Sequence, residues 1–318
     1  MCTAIQIPPA LGAAPFFFGR TLDLEYHHRE AVTLIPRACP MPRPDGDVLR
    51  THPALLGMAY MAEGYPLFYD GMNEYGVCAA GLAFSGCCAY RAPDGGGFAR
   101  RRLPPWALIP DVLLHCRTAE EAAERLRGTV LCDVPFIPSL QNQPMHWLIA
   151  DRETAWAAEP DFAGVLRIIR NPLGVLTNAP PLDYQLDRQR DYAYLTPDAP
   201  TDAYTRGMGS AGLPGGWTSP ARFAQAAYLR RTMRPQTPTA VFSMLDAVSV
   251  PRGAVRTEHG EEVVTVYAAC MESEAFAYHA VTEYSRTPLS VCPEIAERLG
   301  EEPFCVPIPD GSDEAACG

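Results

Sequence analysis

The chain opens Met1-Cys2-Thr3-Ala4-Ile5-Gln6-Ile7, passes Pro8, Pro9 and Pro15, and continues Phe16-Phe17-Phe18-Gly19-Arg20-Thr21-Leu22-Asp23. The first run alternates apolar and polar side chains and the second follows a Pro- and Gly-containing turn. Together they predict a β-hairpin that lays Arg20 and Asp23 back toward Cys2. Two opposite charges in an otherwise core-like strand call for a reason. In a regular strand these two positions fall on opposite faces, and a break permitted by Gly19 would bring them together.

If Met1 is clipped, which needs only a small second residue, the mature chain begins with a cysteine carrying a thiol and a free α-amine on one Cα. An α-amine has an unperturbed pKa of about 7.7–8.0, so a useful fraction is neutral near pH 7 and can take the proton of the thiol or of a bridging water. The thiolate is the attacking species. An arginine beside Cys2 would favour that thiolate, and an aspartate beside the new terminus would hold the ammonium. Taken singly, Cys2 reads as a small buried hydrophobe, and Arg20 with Asp23 as an ordinary surface ion pair.

Composition narrows the class. The 318 residues can bury a substantial core, and no linker-like shift divides them, so one domain is expected over residues 2–299 with an acidic, Pro-bearing loose tail over 300–318. Twenty-six Lys and Arg against 37 Asp and Glu leave a net charge of −11, which argues against nucleic acid as a partner. The uncharged apolar stretch between Glu74 and Arg91 is glycine-rich and too short to span a bilayer, so no membrane segment is expected. The N-terminus lacks a basic region ahead of its prolines, which implies a cytoplasmic protein. The 11 cysteines contain no C-x-x-C pair and read as reduced thiols. The histidines lack ligand spacing, so neither a metal nor a cofactor is expected. Gly207-Met208-Gly209-Ser210-Ala211-Gly212 spells G-x-G-x-x-G, but no strand precedes it and no helix opens after it, so dinucleotide binding is rejected.

The remaining pattern is of strands at 31–36, 55–63, 67–69 and 76–84, with Asp70-Gly71-Met72-Asn73 as the turn between the last two. Asp94-Gly95-Gly96-Gly97 reads as a spacer loop. Helices follow, from Pro104 to His115 and from a Thr118-Ala119-Glu120-Glu121 capping box to Gly128. Strands return at 145–151, 154–159, 165–169 and 174–177. After a long segment from Asp183 to Gly216, Ser219-Pro220 and Thr237-Pro238 cap two helices, and 263–271 with 275–282 form a last hairpin. Runs of strands and helices in this order predict an α+β fold of antiparallel sheets covered by helices.

Several of these stretches resemble the choloylglycine hydrolases, the family of bile salt hydrolases and penicillin V acylases. They are the Cys2 start, Phe18 to Asp23, Asp70-Gly71-Met72-Asn73-Glu74, Met145-His146-Trp147, Leu176-Thr177-Asn178, and Leu213-Pro214-Gly215 with Ser219 to Phe223. They occur in the family's order from Cys2 to about Tyr284. The resemblance implies the four-layer αββα fold of N-terminal-nucleophile hydrolases. It implies Cys2 as nucleophile with its α-amine as general base, Arg20 beside the sulfur, Asp23 orienting the amine, Asn178 stabilising the oxyanion, and Arg222 as a second active-site arginine. Read alone, Asn178 is an Asx-turn residue before Pro180 and Arg222 a solvated helix residue. A homotetramer is also implied, with Asp183 to Gly216 matching the assembly segment.

Two departures stand out. Bile salt hydrolases usually carry Gly-Leu-Asn where this chain has Gly81-Leu82-Ala83, and penicillin V acylases often have tyrosine there. Ala83 keeps a backbone N–H for the oxyanion but no side-chain contact. Gly216 replaces a frequent aspartate. The expected substrate is a small amphipathic acyl amide, a conjugated bile salt; penicillin V or another N-acyl amide is the alternative, and an inactive amphipath-binding protein is the alternative of another class.

Overall fold

The computed structural model describes residues 1–9, 14–93, 101–199, 206–292 and 300–311. The Asp94–Gly97 loop, residues 200–205 of the long segment and residues 312–318 of the tail lie outside them. In chain order the strands are β1 (Cys2–Ile7), β2 (Phe17–Leu24), β3 (Ala31–Ile35), the short β4 (Met41–Pro42) and β5 (Val48–Leu49), β6 (Leu55–Ala62), β7 (Tyr65–Asn73), β8 (Cys78–Ala83) and β9 (Arg101–Leu103). Helices α1 (Leu108–His115) and α2 (Ala119–Leu126) come next, then β10 (Thr129–Leu131), β11 (Met145–Ala150), β12 (Ala155–Pro160), β13 (Leu166–Arg170) and β14 (Val175–Leu176). The chain continues through α3 (Leu182–Arg188), α4 (Ser219–Thr232), α5 (Pro238–Asp246), β15 (Val255–Arg256), β16 (Glu262–Glu272), β17 (Ala277–Thr282), β18 (Leu289–Val291) and β19 (Phe304–Pro307).

Two antiparallel sheets form the middle of the molecule. One runs β14-β1-β2-β16-β17-β18, with β15 beside β16, and the other runs β13-β12-β11-β8-β7-β6-β3-β19. Helices α4 and α5 pack on β1, β2, β14 and β16, whereas α1 and α2 pack on β7, β8, β11 and β12. The order of layers is therefore helix, sheet, sheet, helix, the αββα arrangement expected. Because both faces of the central strands are covered, β1, β3 and β12 are buried along their whole length.

Four expectations are corrected. Asp70-Gly71-Met72-Asn73 is not a turn but the end of β7; the turn lies beyond it, where Asn73 Oδ1 accepts the N–H groups of Tyr75 and Val77, both at 3.1 Å, and Gly76 takes φ +87°. Asp70 can stay in the strand because its charge is met inside the core. The tail is not wholly loose, since Phe304–Pro307 pairs with β3 and closes the edge of its sheet. Gly19 does not break β2; it lies in regular register between Ile5 and Cys270, where a Cβ would come within 3.2 Å of Leu245 on α5. Finally, α4 is capped by Thr218 rather than Ser219, which leaves the Ser219 hydroxyl free to donate to Asn178 O at 2.8 Å.

Candidate active site

The first pairing of the chain builds the site. β1 and β2 pair with Cys2 opposite Leu22 and Ala4 opposite Arg20, so Cys2 and Arg20 share the face turned toward the second sheet. Asp23 lies on the opposite face, as strand alternation requires. The Cys2 nitrogen lies at the strand's end, where its N–H donates to Asn178 Oδ1, while its side chain projects toward Arg20.

On the sulfur side, Arg20 Nη2 donates to Cys2 Sγ at 3.6 Å and to Gly81 O at 2.8 Å. Its Nη1 donates to Asp70 Oδ2 at 2.8 Å and meets Tyr267 Oη. Asp70 also accepts from Tyr267 Oη, and from Tyr278 Oη at 2.7 Å. All four residues are fully buried. Burial works against the Arg20 cation, but the attraction of Tyr267, Cys2 and Asp70 outweighs it and holds its pKa above the ordinary value. Burial pushes both tyrosines well above the usual phenol range, so they remain donors to Asp70.

On the other side, Asp23 Oδ1 accepts from Thr265 Oγ1 at 2.7 Å, where β16 carries a bulge between Thr265 and Tyr267. Asp23 Oδ2 is buried without a hydrogen-bond partner and lies 3.8 Å from Arg222 Nη1. A buried carboxylate oxygen without a hydrogen bond is costly, and the nearby Arg222 cation offsets part of that cost. The Asp23 N–H bonds Met1 O at 2.9 Å, so Met1 lies against the Asp23 backbone.

Asn178 and Arg222 close the ring. Asn178 follows β14, the neighbour of β1; its Oδ1 accepts from Cys2 N at 2.8 Å and from Arg222 Nη2 at 2.7 Å, and its Nδ2 donates to Ala83 O at 2.9 Å. Arg222, in the first turn of α4, is fully buried and reaches Thr3 Oγ1 at 2.6 Å, Trp217 O at 3.0 Å and Cys2 O. Burial pulls its pKa below the ordinary arginine value, with Asp23 and Cys2 acting in the opposite sense.

At Ala83 the ladder to β11 decides where the backbone points. Phe84 N–H bonds Pro144 O at 2.8 Å, so alternation turns the N–H and C=O of Ala83 away from β11, to the edge where Gly81 O meets Arg20 and Ala83 O meets Asn178. All six residues predicted for the site, Cys2, Arg20, Asp23, Ala83, Asn178 and Arg222, are thus linked in one network. Asp70, Tyr267, Tyr278, Thr3 and Thr265 were missed by the sequence reading. Only Asp70 carried a signal, a charge between apolar runs.

Tyr69 precedes Asp70 and lines two adjoining hollows. One, of about 290 Å³, also has His27, His28, Arg29, Tyr60 and Leu140. The other, of about 220 Å³, shares Tyr60, Tyr69 and Leu140 and adds an apolar wall that includes Trp106, Phe136 and Met145. Among the described residues no cluster of three or more His, Cys, Asp or Glu is placed to hold a metal ion. No helix there is long and apolar enough to cross a membrane.

Two antiparallel sheets between helix layers, with a cysteine at the start of a central strand, define the fold of the N-terminal-nucleophile hydrolases. The family described as linear amide C–N hydrolases, choloylglycine hydrolase family, matches residues 2–290, and the chain belongs to that family; it is a hydrolase of linear amide C–N bonds. It is 33% identical over 293 residues to the bile salt hydrolase/transferase of Lactiplantibacillus plantarum, covering 88% of each chain. Its structure matches the C2A mutant of the conjugated bile acid hydrolase from Clostridium perfringens with a TM-score of 0.87, at 28% identity and 98% coverage of both chains. The penicillin V acylase from Agrobacterium tumefaciens shares the fold at a TM-score of 0.70 and 20% identity, over 92% of this chain and 86% of that one.

Proposed function

We propose that this chain hydrolyses the amide joining a bile acid to glycine or taurine, with Cys2 as nucleophile once Met1 is removed. The observation that carries the reading is the convergence of Arg20 on the Cys2 sulfur and of Asn178 on the Cys2 nitrogen, with Arg222 bridging Asn178, the Cys2 carbonyl and Asp23. The bile salt hydrolase relatives and the apolar hollow walled by Trp106, Phe136 and Met145 support the choice of substrate.

The α-amine takes the proton of the thiol, and the sulfur attacks the amide carbon as the carbonyl electron pair moves onto oxygen. Asn178 Nδ2 has a second N–H beyond the one held by Ala83 O, and with the Ala83 N–H it receives that oxyanion. Collapse breaks the C–N bond, the ammonium returns its proton to the leaving nitrogen, and glycine or taurine departs. Water, deprotonated by the same amine, then attacks the thioester, releasing the bile acid and restoring the thiol. Arg20 favours the thiolate, Asp23 orients the amine, and Arg222 holds Asn178 against Cys2.

The assembly belongs to the same proposal, as a homotetramer. Its support is a segment that exposes Tyr184, Tyr194 and Met208, and a monomer by light scattering would refute it. Free thiols at every described cysteine support a reducing compartment, hence the cytoplasm.

The test is incubation with glycocholate, taurocholate and penicillin V, with released glycine, taurine and phenoxyacetate measured by mass spectrometry and Cys2→Ala as control. Release of glycine or taurine that vanishes in the variant establishes the function. Phenoxyacetate alone moves the chain to the acylase reading. No release at all favours a binding protein.

A further inference from the structure

His146 is the one histidine buried completely in the inter-sheet layer near the site, and the mechanism above does not use it. It stands on β11 across from Glu159 on β12, one step beyond the Trp147–Ala158 pair. Its Nδ1 lies 3.2 Å from Glu159 Oε1, and its Nε2 lies 2.6 Å from Thr177 O. The Thr177 carbonyl can only accept, so Nε2 donates to it, while Nδ1 faces the Glu159 carboxyl group. Glu159 Oε1 is itself fixed by the Leu182 N–H at 2.9 Å.

The two neighbours of this ring are the two arms of the oxyanion site. Thr177 immediately precedes Asn178, so the hydrogen bond to Thr177 O fixes the peptide from which the Asn178 side chain springs. Ser219 Oγ holds the following carbonyl, Asn178 O, at 2.8 Å. Phe84 immediately follows Ala83, and its ring stacks on His146 with centroids 4.2 Å apart and planes inclined by 11°. One imidazole therefore touches the residue next to each donor.

We infer that His146, held by Glu159, is a positioning residue that sets the spacing between the Asn178 and Ala83 donors and so governs transition-state stabilisation without touching substrate. The inference rests on the proposed oxyanion roles of these two residues. Donors must lie about 2.7–3.1 Å from the developing oxyanion, and losing one outright costs about 10²–10³ in kcat. Displacing both by a few tenths of an ångström should cost about tenfold or more, up to that ceiling.

The experiment uses His146→Gln, which shortens the reach to Thr177 O and abolishes the stack, and Phe84→Leu, which keeps both hydrogen bonds and removes only the stack. For each, kcat and KM with glycocholate are measured alongside the rate at which iodoacetamide alkylates Cys2. Alkylation forms a C–S bond by displacement, develops no oxyanion, and reports the thiolate alone. The expected result is kcat lowered by about tenfold or more, with KM and the alkylation rate within about twofold of the wild-type protein. Unchanged kcat in both variants overturns the inference alone, as does alkylation that falls in step with kcat, since that marks general damage to the site. Wild-type protein that releases no glycine overturns this inference together with the proposed function.

Discussion

Asp70 offers a sharp test of how the site is held. Its carboxylate is fully buried and accepts from Arg20, Tyr267 and Tyr278. Asp70→Asn preserves shape but removes the only carboxylate paired with Arg20 among the described residues. It also turns an NH₂ group toward at least one donor. Removing one partner of a buried ion pair costs about 3–5 kcal/mol, a large share of the roughly 5–15 kcal/mol that stabilises a typical native protein. Urea unfolding followed by the fluorescence of the four tryptophans should show that loss as a lowered midpoint with little change in slope. Arg20 would lose its anchor beside the sulfur, so Cys2 alkylation should slow as well. Stability within about 1 kcal/mol of wild type would refute the reasoning, because that is the range of an exposed ion pair.

Other expectations can be checked in the same preparation. Asn178→Ala removes a donor to the oxyanion and the acceptor shared by Cys2 and Arg222, so kcat for glycine release should fall by about 10²–10³, read by single-turnover kinetics. Intact mass should show a chain lacking Met1; retention of Met1 in an active protein would refute the role of the α-amine. Asp111 is opposed by burial but bonded to Arg125 and Arg101, which hold its pKa below the ordinary carboxylate value. Its contribution to stability is therefore complete above the unfolded pKa of about 3.9 and is lost as pH falls toward the folded value. Acid titration of Asp111→Asn should show a shallower decline below pH 4 than wild type. At Gly57 a Cβ would stand 2.2 Å from Asp70 O and 2.5 Å from the Gly71 Cα, so Gly57→Ala should destabilise by about 3 kcal/mol; Gly215→Ala, with open space around it, should not. Equal urea midpoints for the two would contradict the close approach of β6 and β7.

Much of the layered plan was legible because its signals are local. Alternation marked β1, a turn and an apolar run marked β2, and Thr118 and Thr237 announced helix starts that the structure keeps. The Asp70 to Asn73 run misled because a carboxylate followed by glycine carries turn chemistry, while what keeps it in a strand is supplied by Arg20 and two tyrosines distant in sequence. Residues 304–307 misled because pairing with the edge of β3 depends on where a sheet ends.

The sequence by itself supplied the parts of the proposed site: a cysteine that becomes terminal when one residue is removed, and Arg20 and Asp23 a hairpin away. Which helper acts on which atom was decided only in three dimensions. Strand alternation placed Arg20 on the sulfur face and Asp23 on the other, and the strand's end left the Cys2 nitrogen to Asn178. Asn178, Ala83 and Arg222 arrive from β14, β8 and α4, which meet only when the sheets stack. The buried Asp70, Tyr267 and Tyr278 that hold Arg20 in place had no local signature, because a polar group can remain in a core only where partners from elsewhere in the chain satisfy it.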